Sequence, residues 1–345
     1  MKSELVTALM SAGMPFEPTE RPDQHRVVIV ASRGAIPPPV SLPGDFVWNR
    51  GFNLLVLDKG GSPSHYCKCR PLDDHLLPHE TRVRQVLSHD PRLSSLVPYA
   101  CQTETRRFRL QASGYISGTP LNTMLRTLRP AELLSTLSQV LKAAEKVSRV
   151  AADLLPDLFH NDRPADLARD VDPALAYLGR RGVASVIITT LRNTLLAAGA
   201  LPRRLQHGDL WPGNVVVTKR RWWILDFELF GQIQVPLYDA CHLLRTSSDI
   251  VATPPSNDVW VNRLVQRNPL GSLSRQLLRD AAASDGLSPE QALGAMVYYV
   301  VDFATRIHRR AVPAAFSRPF LSELGHLAHA LEAEQVSPVM FTSST

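Results

Sequence analysis

The sequence predicts an α+β protein of two unequal parts, a small antiparallel sheet near the N-terminus followed by a larger helical region. Three observations predict it. Short alternating apolar runs fill the first third, helical periodicity dominates from about residue 131, and two short apolar strands, Val215-Val217 and Trp222-Leu225, form a lone hairpin between helical tracts. A chain of 345 residues is long for one compact core, so two domains are expected. The division is placed at residues 1–116 and 117–345, with Tyr115-Ile116-Ser117-Gly118-Thr119-Pro120 as the connection.

Taken in order, Val27 to Val30 reads as a short buried strand, followed by a Gly/Pro-rich connection through Pro43. Phe52-Leu57 and His65-Arg70 read as two strands around the turn Asp58-Lys59-Gly60-Gly61-Ser62. A helix is expected after Pro78, because proline suits a first helical position and Glu80, Val83 and Leu87 share one face. Helices follow over Ala131–Leu155, over roughly Pro173–Ala198, and in several pieces after Asn257. Ser288-Pro289-Glu290-Gln291 is a start signal, with a serine cap and a glutamine three residues on.

Composition narrows the function classes. The apolar fraction of 44% with 20% charged residues fits a soluble globular chain, and no run approaches the roughly 18 apolar residues of a membrane span. The N-terminus carries Glu4, only a short apolar run and no A-x-A site, so it does not read as a secretory signal. The four cysteines show neither metal-ligand spacing nor a disulfide framework, which suits a cytoplasmic location. The net charge is +6, but the arginines are scattered and no nucleic-acid-binding motif is present, so no nucleic-acid partner is expected.

The chemistry concentrates in His207-Gly208-Asp209-Leu210-Trp211-Pro212-Gly213-Asn214, with Asp226-Phe227-Glu228 a short distance on. Phosphoryl transfer needs a carboxylate near the acceptor hydroxyl, oxygen ligands for magnesium, and cations over the phosphates. An Asp followed five residues later by an Asn is the spacing of the kinase catalytic loop. Such a loop can bring Asp209 and the Asn214 amide to one site, and the hairpin can return Asp226 as a second metal ligand.

The run HGDLWPGN, then ILDFE, then Pro236-Leu237-Tyr238-Asp239, resembles the aminoglycoside phosphotransferase and choline kinase-like superfamily, most sharply from Leu205 to Leu244. That resemblance implies a two-lobed, protein-kinase-like fold, with a nucleotide-binding lobe first and a helical lobe carrying the catalytic loop. It implies ATP as phosphoryl donor, Mg2+ as cofactor and a small-molecule hydroxyl acceptor. It also implies a strand lysine on the nucleotide phosphates and a helix glutamate that pairs with it. Lys68, mid-strand in Tyr66-Cys67-Lys68-Cys69-Arg70, and Glu80 fill those roles, with Tyr66, Lys68 and Arg70 on one strand face and the cysteines on the other. The family's nucleotide-covering loop would lie near Asp45–Asn53, where Gly51 is the only glycine.

The expected assignments are therefore Asp209 as catalytic base or orienter, Lys68 and Glu80 for the nucleotide, and Asn214 and Asp226 for metal. His207 is read as architectural, Asp239 as a tie for the loop or a helix start, and Glu228 as either a second metal contact or a cap. The alternative is a kinase-like pseudoenzyme that binds nucleotide without turnover. For the acceptor, a neutral or anionic polyol is expected: residues 241–345 hold nine acidic and nine basic residues, with no acidic surplus for a polycation. The aspartates 153, 157, 162, 166, 170 and 172 are read as a solvated cluster.

Overall fold

The structure is a computed structural model describing residues 26–32, 52–58, 60–106, 108–159, 164–219, 221–251, 259–266, 268–309 and 314–342. The loop expected at Asp45–Asn53 lies, up to residue 51, outside them. The chain forms two compact units. One takes the chain up to Thr119 plus Val216–Leu229, and the other takes Pro120–Val215 and Phe230–Thr345. The hairpin from Val216 on thus groups with the first unit rather than with the helices that flank it in sequence.

The first unit is built on a five-stranded antiparallel sheet in the order β1-β2-β3-β5-β4. Its strands are β1 (Arg26–Ser32), β2 (Phe52–Leu57), β3 (Pro63–Pro71), β4 (Cys101–Glu104) and β5 (Phe108–Gly114). The β2–β3 turn is tied by Asp58, whose N–H donates to the Ser62 carbonyl at 2.8 Å and whose carboxylate accepts the Ser62 N–H at 2.9 Å. Alternation then sorts β3. Cys67 and Cys69 pack with Leu54, Val56, Cys101, Leu110 and Ala112 in one apolar cluster, so Lys68 and Arg70 take the opposite face.

Helix α1 spans Leu76–His89 and begins two residues before the expected Pro78. Asp74 explains the difference, since its Oδ1 accepts the N–H groups of Leu76 and Leu77, both at 2.9 Å. Pro78 then falls on the third helical residue, where its missing N–H would have had no intrahelical partner. Leu77, Val83 and Leu87 are buried on one side of α1, and Glu80 is buried with them.

The second unit is helical. Helix α2 (Pro130–Leu154) buries Leu133, Leu137, Val140, Val147 and Ala151, a stripe at helical spacing. The tract expected as one helix to Ala198 is two, α3 (Leu167–Arg180) and α4 (Ser185–Ala198). After them come α5 (Tyr238–Val251), α6 (Trp260–Val265), α7 (Pro269–Ser284), α8 (Pro289–Arg309) and α9 (Ala314–Glu332). The start of α8 is a reciprocal box: the Gln291 N–H donates to Ser288 Oγ at 3.2 Å, and the Ser288 N–H to Gln291 Oε1 at 3.0 Å. Largely buried, α8 packs against α3, α4, α5 and α9 and forms the spine of this unit. No described helix is long and apolar enough to cross a membrane.

Candidate active site

In the first unit, Lys68 lies at the centre of a buried ion cluster. Its Nζ is 2.7 Å from Glu80 Oε2, 3.0 Å from Asp226 Oδ1 and 3.2 Å from Glu228 Oε1. Arg70 approaches Glu228 at 3.6 Å and Arg84 approaches Glu80 at 3.5 Å, so three carboxylates face three cations. Burial works against the charge on Lys68. The Glu80, Asp226 and Glu228 carboxylates outweigh it and hold the ammonium's pKa above the ordinary lysine value. Gln111 links the cluster to the sheet, accepting from Arg84 at 3.2 Å and donating to Thr81 at 2.9 Å.

Asp226 reaches Lys68 because of its backbone. It lies just past the Trp222–Ile224 strand with φ of 63°, a left-handed conformation that aspartate tolerates better than most residues. Glu228, which sequence left between a metal contact and a cap, is 2% exposed and ion-paired with Lys68 and Arg70. One oxygen each of Glu80, Asp226 and Glu228 lies within 4.8 Å of the others. These are hard oxygen donors of the kind magnesium takes.

In the second unit, the loop His207–Asn214 is held from behind by Asp239 in the first turn of α5. The Asp239 carboxylate accepts the His207 N–H at 2.6 Å and the Gly208 N–H at 2.9 Å, while its own N–H donates to Gln206 Oε1 at 3.0 Å. Burial pushes the Asp239 pKa up, opposed by the nearby His207 ring and these two N–H donors. Gly208 turns the chain at φ of 80°. Gly213 is required for another reason: a Cβ there would meet the Trp211 ring at 2.2 Å.

Asn214 is buried, and its Nδ2 donates to the Asp209 carbonyl at 2.9 Å and to Asp209 Oδ2 at 3.3 Å. The nitrogen is thus spent inside the loop, which makes the amide oxygen the atom able to ligate a cation. Asp209 differs from its neighbours in leaving a third of its side chain, 33%, open. Sequence therefore named Lys68 with Glu80, and Asp209 with Asn214, as pairs, and the structure brings each pair together. It set Arg70 beside Lys68 as a lesser candidate for the phosphates, and it did not name Arg84 or His242. Alternation on β3 pointed to Arg70 and the i, i+4 relation to Glu80 pointed to Arg84. His242, in an otherwise unremarked helical stretch, carried no signal.

Residues 66–268 match the family described as the phosphotransferase enzyme family. No curated protein matches the sequence. Among solved structures, the chain is similar to choline kinase from Cryptosporidium parvum Iowa II, with a TM-score of 0.58 at 10% identity over 98% of this chain and 99% of that one. An ethanolamine kinase from Plasmodium vivax aligns with a TM-score of 0.54 at 11% identity, over 96% and 89%. An ADP-bound aminoglycoside phosphotransferase aligns with a TM-score of 0.54 at 14% identity, over 98% and 99%. At these identities the likeness shows the fold, which is the two-lobed, kinase-like α+β architecture.

Proposed function

The chain belongs to the phosphotransferase enzyme family, and on that premise we propose that it moves the γ-phosphoryl group of ATP to a hydroxyl of a small molecule. Asp209 orients the acceptor hydroxyl and takes its proton. Lys68, held by Glu80, carries positive charge to the nucleotide phosphates. Asn214 and Asp226 are the metal ligands, and magnesium, when bound, neutralises charge on the phosphates. The observation that carries the reading is Asp209 itself. Around it, His207, Asn214 and Asp239 are 3%, 8% and 8% exposed and serve the loop, whereas the Asp209 side chain is 33% exposed. A loop braced this heavily around one accessible carboxylate suits positioning chemistry, in which geometry supplies much of the rate.

The acceptor we favour is a neutral or anionic polyol. The aspartate cluster of the helical unit is already engaged. Asp166 caps α3 by accepting the Arg169 N–H, Asp170 pairs with Arg169 and Arg203, and Asp172 pairs with Arg192. Residue 162 lies outside the described residues. The test is ATP consumption with magnesium across sugars, amino alcohols, choline and kanamycin-like compounds, at low and high salt. Turnover with a polyol is expected. Efficient, salt-sensitive turnover with a polycation would overturn the acceptor class, and ATP binding without turnover on any acceptor would leave the pseudoenzyme in its place.

A further inference from the structure

His242 lies on α5, one turn beyond Asp239, and is 4% exposed. Its Nε2 is 3.3 Å from Asp209 Oδ1, and its Nδ1 is 3.2 Å from the hydroxyl of Tyr299 on α8. Tyr299 is fully buried, with the Arg245 charge nearby. Arg245 is itself fixed, ion-paired to Glu323 on α9 and lying 4.7 Å over the rings of both Phe303 and Phe320. Tyr299, His242 and Asp209 therefore form a chain from the core of the helical unit to the carboxylate of the loop.

Donor counting gives this chain a direction. A carboxylate accepts and never donates, so the His242 Nε2 that faces Asp209 Oδ1 is the ring's donor. Burial holds the phenol's pKa well above its ordinary value, so Tyr299 keeps one proton to give, and His242 Nδ1 is the acceptor within reach. A neutral imidazole that accepts at Nδ1 carries its proton on Nε2. That proton faces Asp209 Oδ1, while Asn214 Nδ2 faces Oδ2.

We infer that His242 is a positioning residue for Asp209: held as the Nε2–H tautomer by Tyr299, it fixes one carboxylate oxygen while Asn214 fixes the other. The inference rests on the reading that Asp209 handles the acceptor hydroxyl. With both oxygens tethered, the carboxylate presents them in one orientation. Misplacing a reacting group by about 1 Å costs up to roughly 10²-fold in rate, and that sets the scale of the effect.

The test has two arms on the full-length protein. In the first, NMR of protein carrying 15N-labelled histidine reads the His242 tautomer, assigned by loss of its signals in His242→Gln. The expected result is a protonated Nε2 and an unprotonated Nδ1, with the Nδ1 signal moved by Tyr299→Phe and the Nε2 signal moved by Asp209→Asn. A protonated Nδ1, or signals indifferent to Asp209→Asn, would overturn the inference even for a protein that turned over no ATP. The second arm measures ATP turnover with magnesium and water as acceptor, with thermal melts to confirm folding. His242→Leu is expected to lower kcat about 10-fold or more with KM for ATP unchanged, and His242→Gln, which keeps a donor near the Nε2 position, to restore most of it. A wild-type kcat in His242→Leu, or an equal loss in His242→Gln, would reduce His242 to a packing residue. The tautomer arm decides the inference whether or not the wild type turns over ATP with water, and the acceptor screen decides the proposed function.

Discussion

The two units hold their chemical groups in opposite ways. In the first, Lys68, Arg70 and Arg84 face Glu80, Asp226 and Glu228 in a buried cluster whose charges cancel. In the second, the catalytic-type loop hangs on backbone N–H groups gathered by one carboxylate, Asp239, and on the side chains of Asn214 and His242. The difference concerns what each arrangement tolerates. A buried charge cluster cannot lose one member without stranding another, because an uncompensated charge in a low-dielectric site is costly. A loop built on backbone hydrogen bonds loses only the desolvation cost of whichever group is left unpaired.

The comparison can be broken most forcefully at Lys68. Lys68→Met leaves three carboxylates within 4.8 Å of one another facing only Arg70 and Arg84, and is expected to cost about 3–5 kcal/mol in denaturant unfolding. A loss below about 1 kcal/mol would mean that the cluster is already solvated. In the second unit, Asp239→Ala leaves the buried His207 and Gly208 N–H groups without their acceptor, and a smaller loss of about 1–3 kcal/mol is expected by the same measurement. A larger penalty for Asp239 than for Lys68 would reverse the contrast.

Asp226→Ala sharpens the contrast through binding rather than stability. It removes one proposed metal ligand, so calorimetry should show ATP affinity falling at least about 10-fold with magnesium present and much less without it. An unchanged magnesium increment would return Asp226 to a purely structural ion pair. The smallest effect is expected at Asp285, beyond the end of α7, where burial pushes the carboxyl up to about 6 despite Arg204 at 3.0 Å. A carboxyl raised in the fold supports stability at low pH and withdraws that support as pH rises through about 6. The melting temperature of wild type relative to Asp285→Asn should therefore fall between about pH 4 and pH 6 and level off above. A difference that is flat across that range would remove the titration.

How much of this was legible in the sequence depended on how local each relation is. The five-residue spacing of Asp209 and Asn214 closes within one loop, so composition and spacing sufficed to pair them. Lys68 and Glu80 were paired through the family resemblance, because alternation sets the face of one and helical spacing the face of the other but neither brings two elements together. The first turn of α1 was misplaced because Asp74 caps it through its side chain, which no periodicity announces. The break between α3 and α4 was missed because apolar spacing continues through it while the chain turns at Gly182, at φ of 91°. His242 was invisible for a different reason. It meets Asp209 only because α5 packs behind the loop, and its partner Tyr299 arrives on a helix far along the chain.

The most direct test of the account is Asp209→Asn, assayed for magnesium-dependent ATP turnover on the best acceptor found, beside calorimetry of nucleotide binding. The account predicts a loss of about 10²-fold or more in turnover, with nucleotide affinity and melting temperature close to wild type. Turnover at the wild-type rate in a folded, nucleotide-binding Asp209→Asn protein would contradict it.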